Sequence, residues 1–95
     1  MYFTYITSNP GRTVLYTGVT NDLERRVGEH FAARGNPATF AGKYYCYELL
    51  YWEAVELITA AIAREKEIKG WTRAKKDALI NTLNPTRATL KPWLA

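Results

Sequence analysis

Arg26 and Glu65 are charged residues at positions where a helix should be apolar. At helical spacing, Leu23, Arg26, Val27, His30 and Phe31 fall on one stripe, so an arginine and the single histidine share a face with three apolar side chains. Glu65 lies three residues beyond Ile62, four beyond Ala61 and three before Ile68, whereas Arg64, Lys66 and Glu67 fall further round. An ionised group on an apolar face costs free energy unless it is paired. Three readings follow. Arg26 and Glu65 form one buried ion pair tying two helices together, or the arginine stem snorkels its head to solvent. In the third, both line a cleft, where the arginine fork recognises a phosphate and the carboxylate holds a divalent metal. Tyr5 and Tyr16 would supply phenol tips beside such a cleft, although tyrosines at strand positions also serve as amphipathic core. His30 reads equally as a hydrogen-bonded packing residue.

The elements that must position these residues are marked by turn and cap signals. Residues 2–7 and 14–20 are aromatic and β-branched runs separated by Ser8-Asn9-Pro10-Gly11-Arg12, which predicts a β-hairpin. Tyr5 and Tyr16 stand equally far from Pro10-Gly11, so symmetric pairing sets their rings opposite each other on one face. Thr20-Asn21-Asp22 offers helix caps, with Glu24 three residues after Asn21 as in a capping box, and a helix runs to about residue 33. Glu24, Arg25, Gly28 and Glu29 look outward from it. Residues 34–42, containing Gly35-Asn36-Pro37, read as an irregular connection, and a tyrosine-rich third strand runs from 43 or 44 to 52. A second helix spans 53–69 with Val55, Ile58, Ala61, Ile62 and Ile68 as its apolar face; Gly70 stops it. Thr72 caps a third helix over 73–81, Asn84-Pro85 ends it, and the remainder with Trp93 packs as an extended tail or frays. The order β-β-α-β-α-α predicts an α+β fold, a small three-stranded antiparallel sheet flanked by helices.

Composition narrows the function. Ninety-five residues are the size of one domain, and 47% hydrophobic with 23% charged residues excludes a disordered polyelectrolyte. The single cysteine, Cys46, excludes an internal disulfide framework and a cysteine zinc cluster, and a free thiol fits a reducing compartment, so a cytoplasmic protein is expected. No apolar run approaches the ~20 residues that span a bilayer, and the N-terminus lacks a signal-peptide pattern, so no membrane role is expected. No Gly-rich phosphate loop, His/Cys cluster or G-x-S-x-G elbow supports a nucleotide-binding, zinc-hydrolase or serine-hydrolase reading. The formal charge of +4 is unevenly spread. Glu48, Glu53 and Glu56 make the middle acidic, while Lys66, Lys69, Arg73, Lys75, Lys76, Arg87 and Lys91 make the last third basic, a surface suited to nucleic acid. If the helices on either side of Gly70 stay in line, Lys66, Lys69, Arg73 and Lys76 form one stripe able to contact phosphates.

In their order and spacing these residues resemble a minimal GIY-YIG endonuclease domain of the small stand-alone bacterial type. Phe3-Thr4-Tyr5 stands at the first three-residue motif and Tyr16-Thr17-Gly18 at the second, followed by Val19-Thr20-Asn21-Asp22-Leu23-Glu24-Arg25-Arg26 and His30. Ala63-Arg64-Glu65-Lys66-Glu67-Ile68-Lys69-Gly70-Trp71 and Leu79-Ile80-Asn81-Thr82-Leu83-Asn84-Pro85 continue the pattern. The resemblance covers nearly the whole chain and implies one such domain over residues 1–95. It implies active-site roles for Tyr5, Tyr16, Arg26 and Glu65, with His30 and Asn84 in support. It further implies hydrolysis of phosphodiesters in nucleic acid, DNA foremost, in repair or processing. Glu65 would be the protein ligand of one Mg²⁺ or Mn²⁺, with no small-molecule cofactor. Arg26 would pair with the scissile phosphate, and Tyr16, helped by Tyr5, would orient the attacking water. Phe3-Thr4 and Thr17 depart from the usual small and branched residues, and Thr86-Arg87-Ala88 follows Asn84-Pro85 where close relatives carry an acidic residue and a tryptophan. The alternative is a catalytically weak nucleic-acid-binding module of the same fold.

Overall fold

A three-stranded antiparallel sheet separates two hydrophobic cores. In the computed structural model, which describes residues 1–94, the elements are β1 (Tyr2–Ser8), β2 (Leu15–Thr20), α1 (Leu23–Ala32), α2 (Phe40–Lys43), β3 (Glu48–Val55), α3 (Ile58–Lys69) and α4 (Arg73–Leu83). The strand order is β2-β1-β3, and both pairings are antiparallel. The class is α+β, as the sequence predicts. Among the described residues no helix is long and apolar enough to cross a membrane.

The hairpin is slipped by two residues from symmetric pairing: Tyr5 faces Gly18 and Tyr16 faces Thr7. The cause is the turn, where Asn9 Oδ1 accepts the backbone N–H groups of Thr13 and Val14 and holds both outside the ladder. Side chains alternate with period two, so an even slip keeps the tyrosines on one face, their ring centroids 6.3 Å apart.

Downstream boundaries also move. The third strand begins at Glu48 rather than 43 or 44, because the chain first turns through Tyr45 at φ 58°. It continues through Glu53, Ala54 and Val55, which pair with Thr4, Phe3 and Tyr2, so the second long helix starts at Ile58 instead of 53. Within the expected irregular connection lies α2, capped by the Thr39 hydroxyl accepting the Gly42 N–H. Gly42 sits so close to neighbouring carbonyls that a Cβ would lie 2.5 Å from Asn36 O.

A β-bulge sorts the core. The Ile6–Tyr51 pair is followed by Thr7–Leu49, leaving Leu50 as the extra residue. Leu50 and Tyr51 thus join Ile6, Ile68 and Ile80 on the α3 and α4 side, while Leu49 joins Tyr5 and Leu23 on the other. That second side is closed by Leu90 and Trp93, so the tail packs, with Leu90 N–H donating to Leu49 O at 2.8 Å. Two of the residues expected on the apolar face of α3 face solvent, Ile58 at 46% and Ile62 at 38% exposure, and so does Phe31 of α1 at 48%.

Candidate active site

Tyr5 is at the centre of the arrangement because of Gly18. A Cβ at position 18 would lie 2.5 Å from the Tyr5 hydroxyl. Only glycine therefore lets the phenol cross the edge strand to meet α1. There the hydroxyl lies 2.8 Å from His30 Nε2 and accepts Arg26 Nε–H at 3.3 Å. Arg26 and His30 reach it together because residues four apart share a helix face. The N-cap of α1 is Asp22, whose Oδ1 accepts the Arg25 N–H at 3.1 Å, in place of the expected Asn21 and Glu24 box. Burial, reinforced by the Arg26 charge and opposed by Glu29, pushes His30 down to about 4. The imidazole is neutral at pH 7. The Tyr5 hydroxyl thus links the two side chains, giving one hydrogen-bonded chain from Arg26 through Tyr5 to His30. Burial pushes Tyr5 up to about 12, against the Arg26 hydrogen bond and with the charge of Glu65 acting in the same upward direction.

Tyr16 is more open. Its ring meets His30 edge-on at 5.3 Å and lies near-parallel to Phe40 at 6.3 Å. It lines a hollow of about 230 Å³ with Arg26, Glu29, His30 and Phe40, and another of about 320 Å³ with Thr17, Lys69 and Lys76. A third of about 490 Å³ shares Arg26 and Glu29 and extends toward Tyr2 and Ile58. The three hollows lie side by side, two sharing Tyr16 and Phe40 and two sharing Arg26 and Glu29, and together they form the region called the trough. A separate apolar hollow of about 470 Å³, between α1 and the tail, is lined by Val27, Phe31, Leu90 and Trp93 and touches none of these polar groups.

Arg26 and Glu65 do not form a buried ion pair. Arg26 Nη1 lies 3.2 Å from Glu29 Oε1, while Glu65 Oε1 lies 3.2 Å from Lys69 Nζ. Glu65 nevertheless stands near enough to Tyr5 for its charge to act on the phenol. Among the described residues no cluster of three His, Cys, Asp or Glu side chains could enclose a metal. A single carboxylate such as Glu65 suits only a hard cation that keeps most of its water, and Mg²⁺ or Mn²⁺ fits that requirement.

Two expected groups stand elsewhere. Asn84 is the C-cap of α4 and is buried; its Nδ2 donates to Leu50 O and Ala88 O at 3.1 and 2.7 Å, and its Oδ1 accepts the Ala88 N–H. Its amide joins α4, β3 and the tail, and Asn84 lines none of the hollows around Tyr16. The basic stripe is also broken up. Arg73 donates to Arg12 O and Thr13 O, holding α4 to the hairpin turn. Lys75 lies over the Trp71 ring at 4.4 Å, Lys66 is exposed and outside the hollows, and only Lys69 and Lys76 border the trough. Glu29 is exposed, as expected, and from there pairs with Arg26, a partner readable from i,i+3 spacing. Phe40 is the aromatic neighbour of Tyr16, and no periodicity marks it.

Residues 1–78 match the family model described as the GIY-YIG catalytic domain. A UPF0213 protein of Haloquadratum walsbyi is 45% identical over 65 residues, 68% of this chain and 71% of that protein. One from Natronomonas pharaonis is 40% identical over 79 residues, 83% of this chain and 89% of its own. The solution NMR structure of a UPF0213 protein from Bacillus halodurans superposes with a TM-score of 0.56 at 26% identity, covering 90% of this chain and 89% of that one.

Proposed function

The chain belongs to the GIY-YIG family, and on that premise we propose that residues 1–95 act as one divalent-metal-dependent endonuclease domain hydrolysing phosphodiesters in DNA. The observation that carries the reading is the chain from Arg26 through Tyr5 to His30, buried at one end and opening at the other into the trough that Tyr16 lines. Arg26 uses Nε and Nη1 on Tyr5 and Glu29. Its Nη2 is the nitrogen aimed at a scissile phosphate, where a preorganised donor stabilises charge as it grows. Tyr5, pushed up to about 12, stays a phenol and fixes the plane of the guanidinium rather than removing a proton. Tyr16, the more open tyrosine, orients the attacking water, and takes that water's proton only as a phenolate, its own proton having first gone to solvent. Glu65, now paired with Lys69, would be the residue to hold Mg²⁺ or Mn²⁺, and such an ion would supply Lewis-acid charge to the phosphodiester. The water oxygen gives up a proton and bonds to phosphorus, the bridging P–O bond breaks, and the departing oxygen takes a proton from solvent. The test is incubation of the pure protein with labelled branched, nicked, duplex and single-stranded DNA and RNA, with Mg²⁺, Mn²⁺ or EDTA. Metal-dependent cleavage is expected, lowered about a hundredfold or more in Arg26→Ala. Binding without cleavage in either metal, by folded protein, transfers the assignment to a nucleic-acid-binding module.

A further inference from the structure

We propose that Phe40 and Tyr44 form a stacking platform for an unpaired nucleotide of a DNA strand whose neighbouring phosphate enters the trough; the identity of the strand rests on the nuclease reading. Phe40 is 51% and Tyr44 40% exposed, large rings facing solvent beside a charged trough. They are held firmly. The Thr39 cap and the close seating of Gly42 fix α2, and the Tyr44 N–H donates back to Phe40 O at 3.1 Å. Tyr16, Phe40 and Tyr44 stand in file from the trough outward, with centroid steps of 6.3 and 4.7 Å.

Cations flank the file. Lys69 Nζ lies 5.8 Å from the Tyr16 ring and Lys43 Nζ 5.3 Å from the Tyr44 ring, while Lys76 shares a hollow with Phe40. Aromatic faces for bases, interleaved with lysines for phosphates, are the means by which single strands are bound without regard to sequence. A base inside a duplex has both faces covered by its neighbours, so away from duplex ends only an unpaired one can lie on Phe40. The opposite end of the trough carries Arg25, Tyr2 and Ile58, and the pair of large exposed rings lies at the Phe40 end.

The test is fluorescence anisotropy in EDTA, with a short labelled single strand and a blunt duplex of the same sequence. Phe40→Ala should weaken single-strand binding about tenfold and leave duplex binding within about twofold, since stacking serves only the unpaired base. Phe40→Trp should restore or tighten it. Tyr44→Ala, at the outer end of the file, should act in the same sense by about threefold, and decides the matter if Phe40→Ala fails to fold. Equal losses on both DNAs, no loss on either, or no binding of the strand by wild-type protein overturns the platform. Selective loss in a protein that cuts no DNA in either metal upholds the platform and removes the nuclease reading. Metal-dependent cutting without selectivity does the reverse.

Discussion

The two faces of the sheet answer their buried polar groups differently. Against α3 and α4, Ile6, Leu50, Ile68 and Ile80 pack with Tyr51. On that face the Tyr51 hydroxyl donates to Glu53 Oε2 at 2.6 Å and Arg64 Nε donates to Glu53 Oε1 at 2.6 Å. Both carboxylate oxygens are satisfied from within, and burial together with that carboxylate pushes Tyr51 up to about 12. Against α1 and the tail the core is largely aromatic, Tyr5 with Phe3, Tyr16, Trp52 and Trp93 around Leu23 and Leu49. Aromatic bodies bury area while their polar tips reach an opening. There Arg26 borders the trough, bonded to the Tyr5 hydroxyl and to the exposed Glu29, while Glu65 reaches from α3 and pairs with the half-exposed Lys69. A charge whose bonds are completed by the sheet supports the fold, whereas one that leans on an exposed surface side chain is available to a substrate.

The comparison can be broken first on the closed face. Ile68→Ala, at a fully buried site, should cost about 2–5 kcal/mol in urea unfolding while the remaining folded protein keeps its cleavage rate. Acid attacks the open face. His30 held near 4 in the folded chain, against 6.5 unfolded, binds fewer protons when folded. Its contribution is therefore complete above pH 6.5 and is lost as pH falls toward 4, by about 3 kcal/mol. Urea melts across that range should be steeper in pH for wild type than for His30→Gln, and an NMR titration of the imidazole near 6.5 would sink the argument. Gly18→Ala forces the Tyr5 phenol aside and should cost about 1–3 kcal/mol, with cleavage reduced beyond what lost stability explains. The smallest stability effect belongs to Glu65→Ala. Its partner is the half-exposed Lys69, so the melting midpoint should move by less than about 1 kcal/mol in equivalent stability while cleavage disappears. A loss of several kcal/mol there would place Glu65 among the structural charges instead.

Helical period exposes Arg26, His30 and Glu65 in the sequence because each interrupts an apolar stripe, and a structural explanation of such an interruption requires a partner. The hairpin tyrosines are legible for a different reason: any even slip leaves them on one face, so a wrong register still brings the rings together. Period cannot find α2, whose four residues complete barely one turn, and so Phe40 stays hidden. Nor does it find the bulge at Leu50, since two adjacent apolar residues look the same in a regular strand. Asn84 shows the opposite limit. A motif position carries its residue type in the sequence, but whether the amide faces a substrate or the protein's own carbonyls depends on how the tail folds back.

That tail gives the chain two different borders. Likeness to the family model ends at residue 78, midway along α4, but the aromatic core is sealed only by Leu90 and Trp93. A chain cut after Leu83 would keep every charged group of the trough and lose the plank on which Leu23 and Val27 of α1 rest. The unit that carries the charged groups of the trough is thus shorter than the unit that holds them in place.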